Sequence, residues 1–266
     1  TNVKKIINSI TGLGHTFSSG GLLTPIVEKL YKFSLNTEKI TNIFQNPDDL
    51  LEFEKRALHG KSICKVIYSS GVNLENFSNI TFNYGKKEIQ FLFFSRLLMS
   101  KGLDELRQSI GKLNLERNDY KLIIAGDIDE GNPQSATVDW IENSFVFDNV
   151  EWCGYIEDIH ELLSSSDVVI LPSFYGEGVP HSLTEALAAG KPIITTDIPG
   201  CREAYADNGF LIEPKNSMAL YKAMNEMIDS PLLEKWSRNS REHAKRFDIE
   251  KVNSDTIKTY AISNDV

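Results

Sequence analysis

From residue 89 onward the chain alternates, six times over, a short unbroken apolar run with an amphipathic stretch, and no feature limits its fold more. The runs fall at 89–95, 121–125, 150–152, 168–171, 192–195 and 210–212. Their continuity is how strands covered on both faces read, because no position is left for water. Helix-like segments fall at 103–113, 159–163, 182–189 and 218–228. Strand and helix in such alternation build a parallel, doubly wound sheet. In these sheets ligands bind beyond the carboxyl ends of the strands, which is where candidate chemistry belongs.

Residues 1–73 are less regular. They suggest a strand at 6–10, a helix at 25–31 and a strand at 66–68, with Asn46-Pro47-Asp48-Asp49 opening a helix over 50–58. Polar residues 74–88 read as a linker to a second domain spanning 89–247. The tail, 248–266, spaces Ile249, Val252, Ile257 and Tyr260 for one face of a closing helix.

Charge narrows the function. The 266 residues carry 28 Lys+Arg against 37 Asp+Glu, a net charge of −9. Residues 1–88 hold 11 basic and 8 acidic groups, so the acidic excess lies entirely beyond them. That balance argues against a nucleic-acid polymer as partner, which calls for clustered positive charge. Cys64, Cys153 and Cys201 show no paired spacing. They therefore give neither a disulfide framework nor a zinc signature, and fit a reducing, cytoplasmic setting. No apolar run approaches the length that spans a bilayer.

Two stretches carry candidate chemistry. After the first strand of the long domain comes Ser95-Arg96-Leu97-Leu98-Met99-Ser100-Lys101-Gly102. Two cations at the carboxyl end of a parallel strand suit a diphosphate; taken alone, they read as solvated surface charges. The second stretch runs from Leu171 through Gly176-Glu177-Gly178-Val179-Pro180-His181-Ser182-Leu183-Thr184-Glu185. Here a buried strand enters a glycine-flanked loop and then a helix with proline near its first position. Proline there gives up only an N–H with no helical partner. The N–H groups of His181, Ser182 and Leu183 then face outward as an anion site. Glycines beside Glu177 permit a ligand to approach the backbone. The plain alternative is an exposed Glu185 and a Glu177 that merely favours the helix N-terminus.

Arg96 and Lys101 taken with 177–185 resemble the donor-site signature of the retaining GT-B glycosyltransferases of family 4. The stretches SRLLMSKGL (95–103), AAGKP (188–192), DIPGCRE (197–203) and NGFLIEP (208–214) agree. AGDIDEGNP (125–133), VEWCGYIEDI (150–159) and the loop YGEGVP (175–180) point to its bacterial branch. That branch adds a sugar, often an N-acetylhexosamine, to undecaprenyl-diphosphate-linked precursors.

The resemblance implies an α/β, GT-B-like build: a complete Rossmann-like parallel-sheet donor domain joined to a partial N-terminal acceptor domain. It implies a UDP-sugar as donor, no metal, and an undecaprenyl-diphosphate-linked or other glycan as acceptor, met in peripheral contact with the inner face of the cell membrane. It casts Arg96, Lys101 and Glu177 as the catalytic group, the cations holding the diphosphate and Glu177 the transferred sugar. Val179, His181, Ser182 and Leu183, with Gly178, would share the phosphate load through backbone N–H groups. Glu185 would bind the ribose, and the backbone at Gly154, Tyr155 and Ile156 would read the base. Gly12, Gly14 and His15 match an acceptor-side loop, although a lone Gly-x-Gly is also a simple turn.

The sequence departs from the family at two places. His181 stands where this branch more often has Arg or Lys, which leaves one phosphate contact weakened or pH-sensitive; a plain surface histidine at a helix start is at least as good a reading. The chain also opens on Thr1 and enters the first domain late, as a piece of a longer enzyme would. A donor-binding fragment without transfer activity is therefore the alternative. An NAD-dependent dehydrogenase fits less well, because Ser95-Arg96-Leu97-Leu98 stands where a Gly-x-Gly-x-x-Gly turn is needed. A non-hydrolysing sugar-nucleotide epimerase shares the two-domain build and ranks lower as well.

Overall fold

The computed structural model describes residues 3–12, 24–81, 88–176 and 178–261. Among these residues nine strands form two sheets, every neighbouring pair parallel. The first sheet holds β1 (Ile6–Ile10), β2 (Ile40–Phe44) and β3 (Ile63–Val66) in that order. Between them run α1 (Thr24–Ser34) and α2 (Pro47–Lys55). Asn46 starts α2 as the sequence suggests, its side-chain oxygen accepting the Asp49 N–H at 2.8 Å ahead of Pro47.

The second sheet contains β4 (Ile89–Phe94), β5 (Tyr120–Ala125), β6 (Val150–Trp152), β7 (Val168–Leu171), β8 (Ile193–Thr196) and β9 (Gly209–Ile212). Their order is β6-β5-β4-β7-β8-β9, so the winding reverses between β4 and β7. Helices α3 (Leu103–Leu113), α4 (Val138–Ser144), α5 (His160–Ser165), α6 (His181–Ala188), α7 (Ser217–Ile228) and α8 (Leu233–Ala244) connect and cover these strands. Phe91, Leu92, Phe93, Ile170 and Ile193 are inaccessible to solvent. The six apolar runs read from the sequence are these six strands, displaced by a residue or less at each end.

Three expectations need correction. β2 was not foreseen, and β3 lies at 63–66 rather than 66–68. The stretch 74–81 is no polar spacer: after a short turn at Glu75–Phe77, Phe77 and Ile80 enter the core of the second sheet. Arg241 fastens it there, its guanidinium donating to the carbonyls of Ile80 and Ala188. The closing helix exists as α9 (Ile249–Ala261), but its buried side is Val252 and Thr259, while Ile257 and Tyr260 face water.

Helix α9 crosses back to the first sheet. Val252 packs with Ile43, Ile67 and Ile7, and Lys5 donates to the Thr259 carbonyl. The two strands of chain joining the sheets run side by side, Val72 N–H meeting Phe247 O at 2.8 Å and Ile249 N–H meeting Val72 O at 3.0 Å. Among the described residues no helix is long and apolar enough to cross a membrane.

Candidate active site

A cleft of about 760 Å³ lies where the carboxyl ends of both sheets face each other. Its volume suits a nucleotide-sized ligand. On the second sheet it centres on the reversal between β4 and β7, the place where doubly wound sheets open a crevice.

The turn after β4 and the loop after β7 are built as one piece. Ser100 O accepts from Phe174 N–H at 3.0 Å and from the Ser173 hydroxyl at 3.2 Å. Gly102, at φ +84°, lets the turn press on Pro172; a Cβ there would lie 2.2 Å from the Pro172 carbonyl oxygen. Lys101 therefore reaches the cleft from a turn that cannot shift independently of the opposite loop. Arg96 is held from the other side, with Leu97 N–H donating to Asp127 O at 3.0 Å and Met99 N–H to Gln134 O at 2.8 Å.

The Arg96 guanidinium, two-thirds exposed, donates to Asp129 Oδ2 at 3.0 Å. Asp129 also accepts from Asn132 at 3.0 Å and anchors its own N–H on Ser135. An exposed pair of this kind contributes about 0–1 kcal/mol, so a diphosphate can take over Arg96 at little cost.

At the far end of the β7 loop, Pro180 caps α6. Its carbonyl accepts from the N–H groups of Leu183 and Thr184, at 3.1 and 3.2 Å. The N–H groups of His181 and Ser182 come before this first helical bond, and both residues line the cleft. Glu185 lines it one turn later, with one carboxylate oxygen 3.3 Å from His181 Nδ1. The hydrogen bond to Glu185 holds His181 above the ordinary imidazole range.

Of the residues singled out in the sequence, the cleft brings together Arg96, Lys101, Tyr155, Ile156, Gly178, Val179, His181, Ser182 and Glu185. Leu183 does not join them: its side chain is fully buried and its N–H is spent on Pro180. Gly154 stands behind the wall, its carbonyl accepting the Gly126 N–H at 2.8 Å. Gly12 is described but does not line the cleft, whereas its neighbour Thr11 does. Glu177, Gly14 and His15 lie outside the described residues.

Sequence reasoning passed over Asp127, Asp129 and Gln45 as lining residues. The aspartates directly follow β5, so the rule that ligands gather at carboxyl ends of strands could have found them. Gln45 follows β2, the strand that went unrecognised. Among the described residues no cluster of His, Cys, Asp and Glu is placed to hold a metal ion.

Residues 76–243, well over half of the chain, match the family described as glycosyl transferases group 1. One relative is the N,N'-diacetylbacillosaminyl-diphospho-undecaprenol alpha-1,3-N-acetylgalactosaminyltransferase of Campylobacter jejuni, 29% identical over 94% of this chain and 69% of its own length. An Escherichia coli UDP-Gal:alpha-D-GlcNAc-diphosphoundecaprenol alpha-1,3-galactosyltransferase is 36% identical over 33% of this chain and 23% of its own. A glycosyltransferase of Methanocaldococcus jannaschii is 25% identical over 85% of this chain, which spans only 57% of that relative. Among solved structures, a Rickettsia africae glycosyltransferase superposes with a TM-score of 0.78 at 20% identity, covering 98% of this chain and 71% of that one. Anabaena HepE in complex with UDP and glucose gives 0.74 at 19% identity, covering 97% and 71%. The parallel-sheet, Rossmann-like build is thus the GT-B fold of glycosyltransferase structures. With the family model spanning the second sheet and the cleft loops on both sides of its reversal point, this chain belongs to the glycosyl transferases group 1.

Proposed function

We propose that the cleft binds a UDP-sugar and that the chain takes part in moving its sugar, an N-acetylhexosamine, with retention to a lipid-linked saccharide. One observation carries this: Arg96, Lys101 and the N-terminus of α6 converge on the reversal point between β4 and β7. Two cations and open N–H groups there would cradle a diphosphate and steady the charge that grows on it as the sugar departs. Relatives whose names carry undecaprenyl-diphosphate acceptors, and a similar fold that holds UDP, support the choice of substrates.

In this reading the segment 89–247 is the donor side. Residues 1–73 and the returning helix α9 form the acceptor side. Tyr155 and Ile156 sit at the base end, Glu185 at the ribose, and Glu177 at the transferred sugar. The departing phosphate oxygen takes the proton of the acceptor hydroxyl on the same face, so no separate base is required. Transfer should proceed in EDTA.

The acceptor side also carries a surface suited to lipid. Ile26, Leu30 and Phe33 of α1 are 56, 61 and 86% exposed and recur at helical spacing, with Lys29 and Lys32 beside them. An apolar stripe edged by lysines lies naturally at an anionic bilayer interface. Sedimentation with anionic vesicles should be lost in Leu30→Asp/Phe33→Asp.

Titration calorimetry tests the core of the proposal: wild type should bind UDP, and Arg96→Ala and Lys101→Ala should each weaken it about tenfold or more. Full UDP affinity in both variants sinks the assignment. A second reading is donor binding without transfer. UDP binding with no transfer to a broad pool of lipid-linked acceptors would select it.

A further inference from the structure

One polar side chain reaches the cleft from the first sheet. Gln45 directly follows β2, is only 8% exposed, and lines the cleft from the first sheet. No hydrogen bond joins its carboxamide to any described residue, although the other buried amides nearby are all engaged. Asn42 donates to Ser62 at 2.7 Å and accepts from Asn8 at 3.0 Å, and Asn46 donates to Asp49 at 2.9 Å. A carboxamide offers two donor hydrogens and an acceptor oxygen, and at the cleft wall these are open to a ligand that enters it.

The place of Gln45 says what the use is. Its Oε1 lies against the loop that leads into α6: a Cβ on Gly178 would sit 1.9 Å from it and 2.5 Å from the Thr11 carbonyl oxygen. Only glycine lets the loop approach so closely. The base end of the cleft, at Tyr155 and Ile156, belongs to the β6 side of the second sheet, and the cations stand near the reversal point. Gln45 faces them from the other sheet. A ligand with its nucleoside at Tyr155 and its diphosphate at Arg96 and Lys101 would therefore turn its remaining part, the hexose, toward Gln45.

Resting on the reading of the cleft as a UDP-sugar site, we infer that Gln45 hydrogen-bonds a hydroxyl or N-acetyl group of the transferred hexose and sets preference among sugars. It reads the sugar alone. Its amide can both donate and accept, as hexose hydroxyls do, and a polar group buried for one partner penalises a sugar that fails to match it.

The test compares UDP, UDP-GlcNAc, UDP-GalNAc and UDP-Glc by calorimetry on wild type, Gln45→Met and Gln45→Ala. Methionine keeps the bulk and removes the amide, so unliganded Gln45→Met should melt at or above the wild-type temperature. Its UDP affinity should stay within twofold of wild type, while the sugar nucleotide that wild type prefers should weaken about tenfold. Preference among the three sugars should flatten in both variants. Unchanged sugar preference beside normal UDP binding overturns this inference alone. A large fall in melting temperature with equal loss of UDP and UDP-sugar binding makes Gln45 structural, and also overturns it. Failure of wild type to bind UDP removes the reading of the cleft and this inference together.

Discussion

Strands β2 and β4 are both parallel and, but for Gln90, both buried along their length, yet they rest in different surroundings. β4 carries Phe91, Leu92 and Phe93 into one continuous core that runs from Val72 to Phe247. β2 spends two of its five positions on Thr41 and Asn42, and the cluster around its Phe44 comprises Leu35, Ile40, Phe53 and Leu58. The second sheet has enough apolar burial to stand by itself; the first leans on α9 and on the opposite wall of the cleft. With the proposed nucleotide site on the strong sheet and the proposed sugar-reading residue on the weak one, the parts should fail separately.

Core truncations test that separation most severely. Phe91→Ala and Phe53→Ala each remove a fully buried ring, a change that costs about 3–5 kcal/mol. Phe91→Ala should abolish UDP binding along with the main thermal transition. Phe53→Ala should raise hydrogen exchange across 40–66 while UDP binding persists. Equal loss of UDP binding in both variants would show one cooperative unit and dissolve the contrast.

Removing a cation comes next. Losing one charge-assisted contact to a phosphate costs about 1.5–3 kcal/mol, so Arg96→Ala or Lys101→Ala should weaken UDP roughly tenfold to a hundredfold or more. Arg96→Ala should not move the melting temperature by more than a degree or two, because Arg96 is two-thirds exposed and its partner Asp129 keeps Asn132. A large loss of stability would make these residues structural and leave the site without its anchor.

The same contrast explains what the sequence disclosed. The second sheet was legible almost to the residue because strands covered on both faces leave unbroken apolar runs, and α3 begins and ends where its pattern does. β2 was hidden because Asn42 interrupts its apolar run. That side chain is paid for by Asn8 and Ser62 on neighbouring segments, partners no local window reveals. The facing of α9 was misread for a related reason: Thr259 is buried against the first sheet, so the apolar residues Ile257 and Tyr260 were left outside. In the cleft, Arg96, Lys101 and the start of α6 were visible as residue types at strand ends. The idleness of Leu183 depended on a hydrogen bond to Pro180, and Gln45 on a strand no one could see.

A smaller effect follows from His181. Bonded to Glu185, it titrates above the ordinary imidazole value of about 6.5. Its charge, and the attraction within the pair, are complete below that value and disappear as pH rises through the raised pKa. The side chain is 54% exposed, which limits the effect to roughly two- to fivefold in binding. UDP-GlcNAc is the right probe, since its diphosphate diester keeps a constant charge in this range. Its dissociation constant should rise between pH 6 and 8.5 in wild type and stay level in His181→Gln. A slope of the same size in both would assign the titration elsewhere.

The weakest expected effect addresses the join between the sheets. Arg202 donates to Asp48 of α2 at 3.0 Å and to Asp197 of its own sheet at 2.6 Å, and the side chains of Arg202 and Asp48 are 37 and 38% exposed. A pair at that exposure contributes about 0.2–1 kcal/mol, and Arg202 keeps Asp197 when Asp48 is neutralised. Asp48→Asn should therefore lower the melting temperature by no more than about 2–4 °C, while Asp48→Asn combined with Arg202→Ala should show a coupling below about 1 kcal/mol. A coupling above about 2 kcal/mol would mean that this contact clamps the sheets together. Phe53→Ala would then damage the nucleotide site through Asp48 on the same helix, and the separation between a strong donor side and a weak acceptor side would hold only for the mutant with the clamp removed.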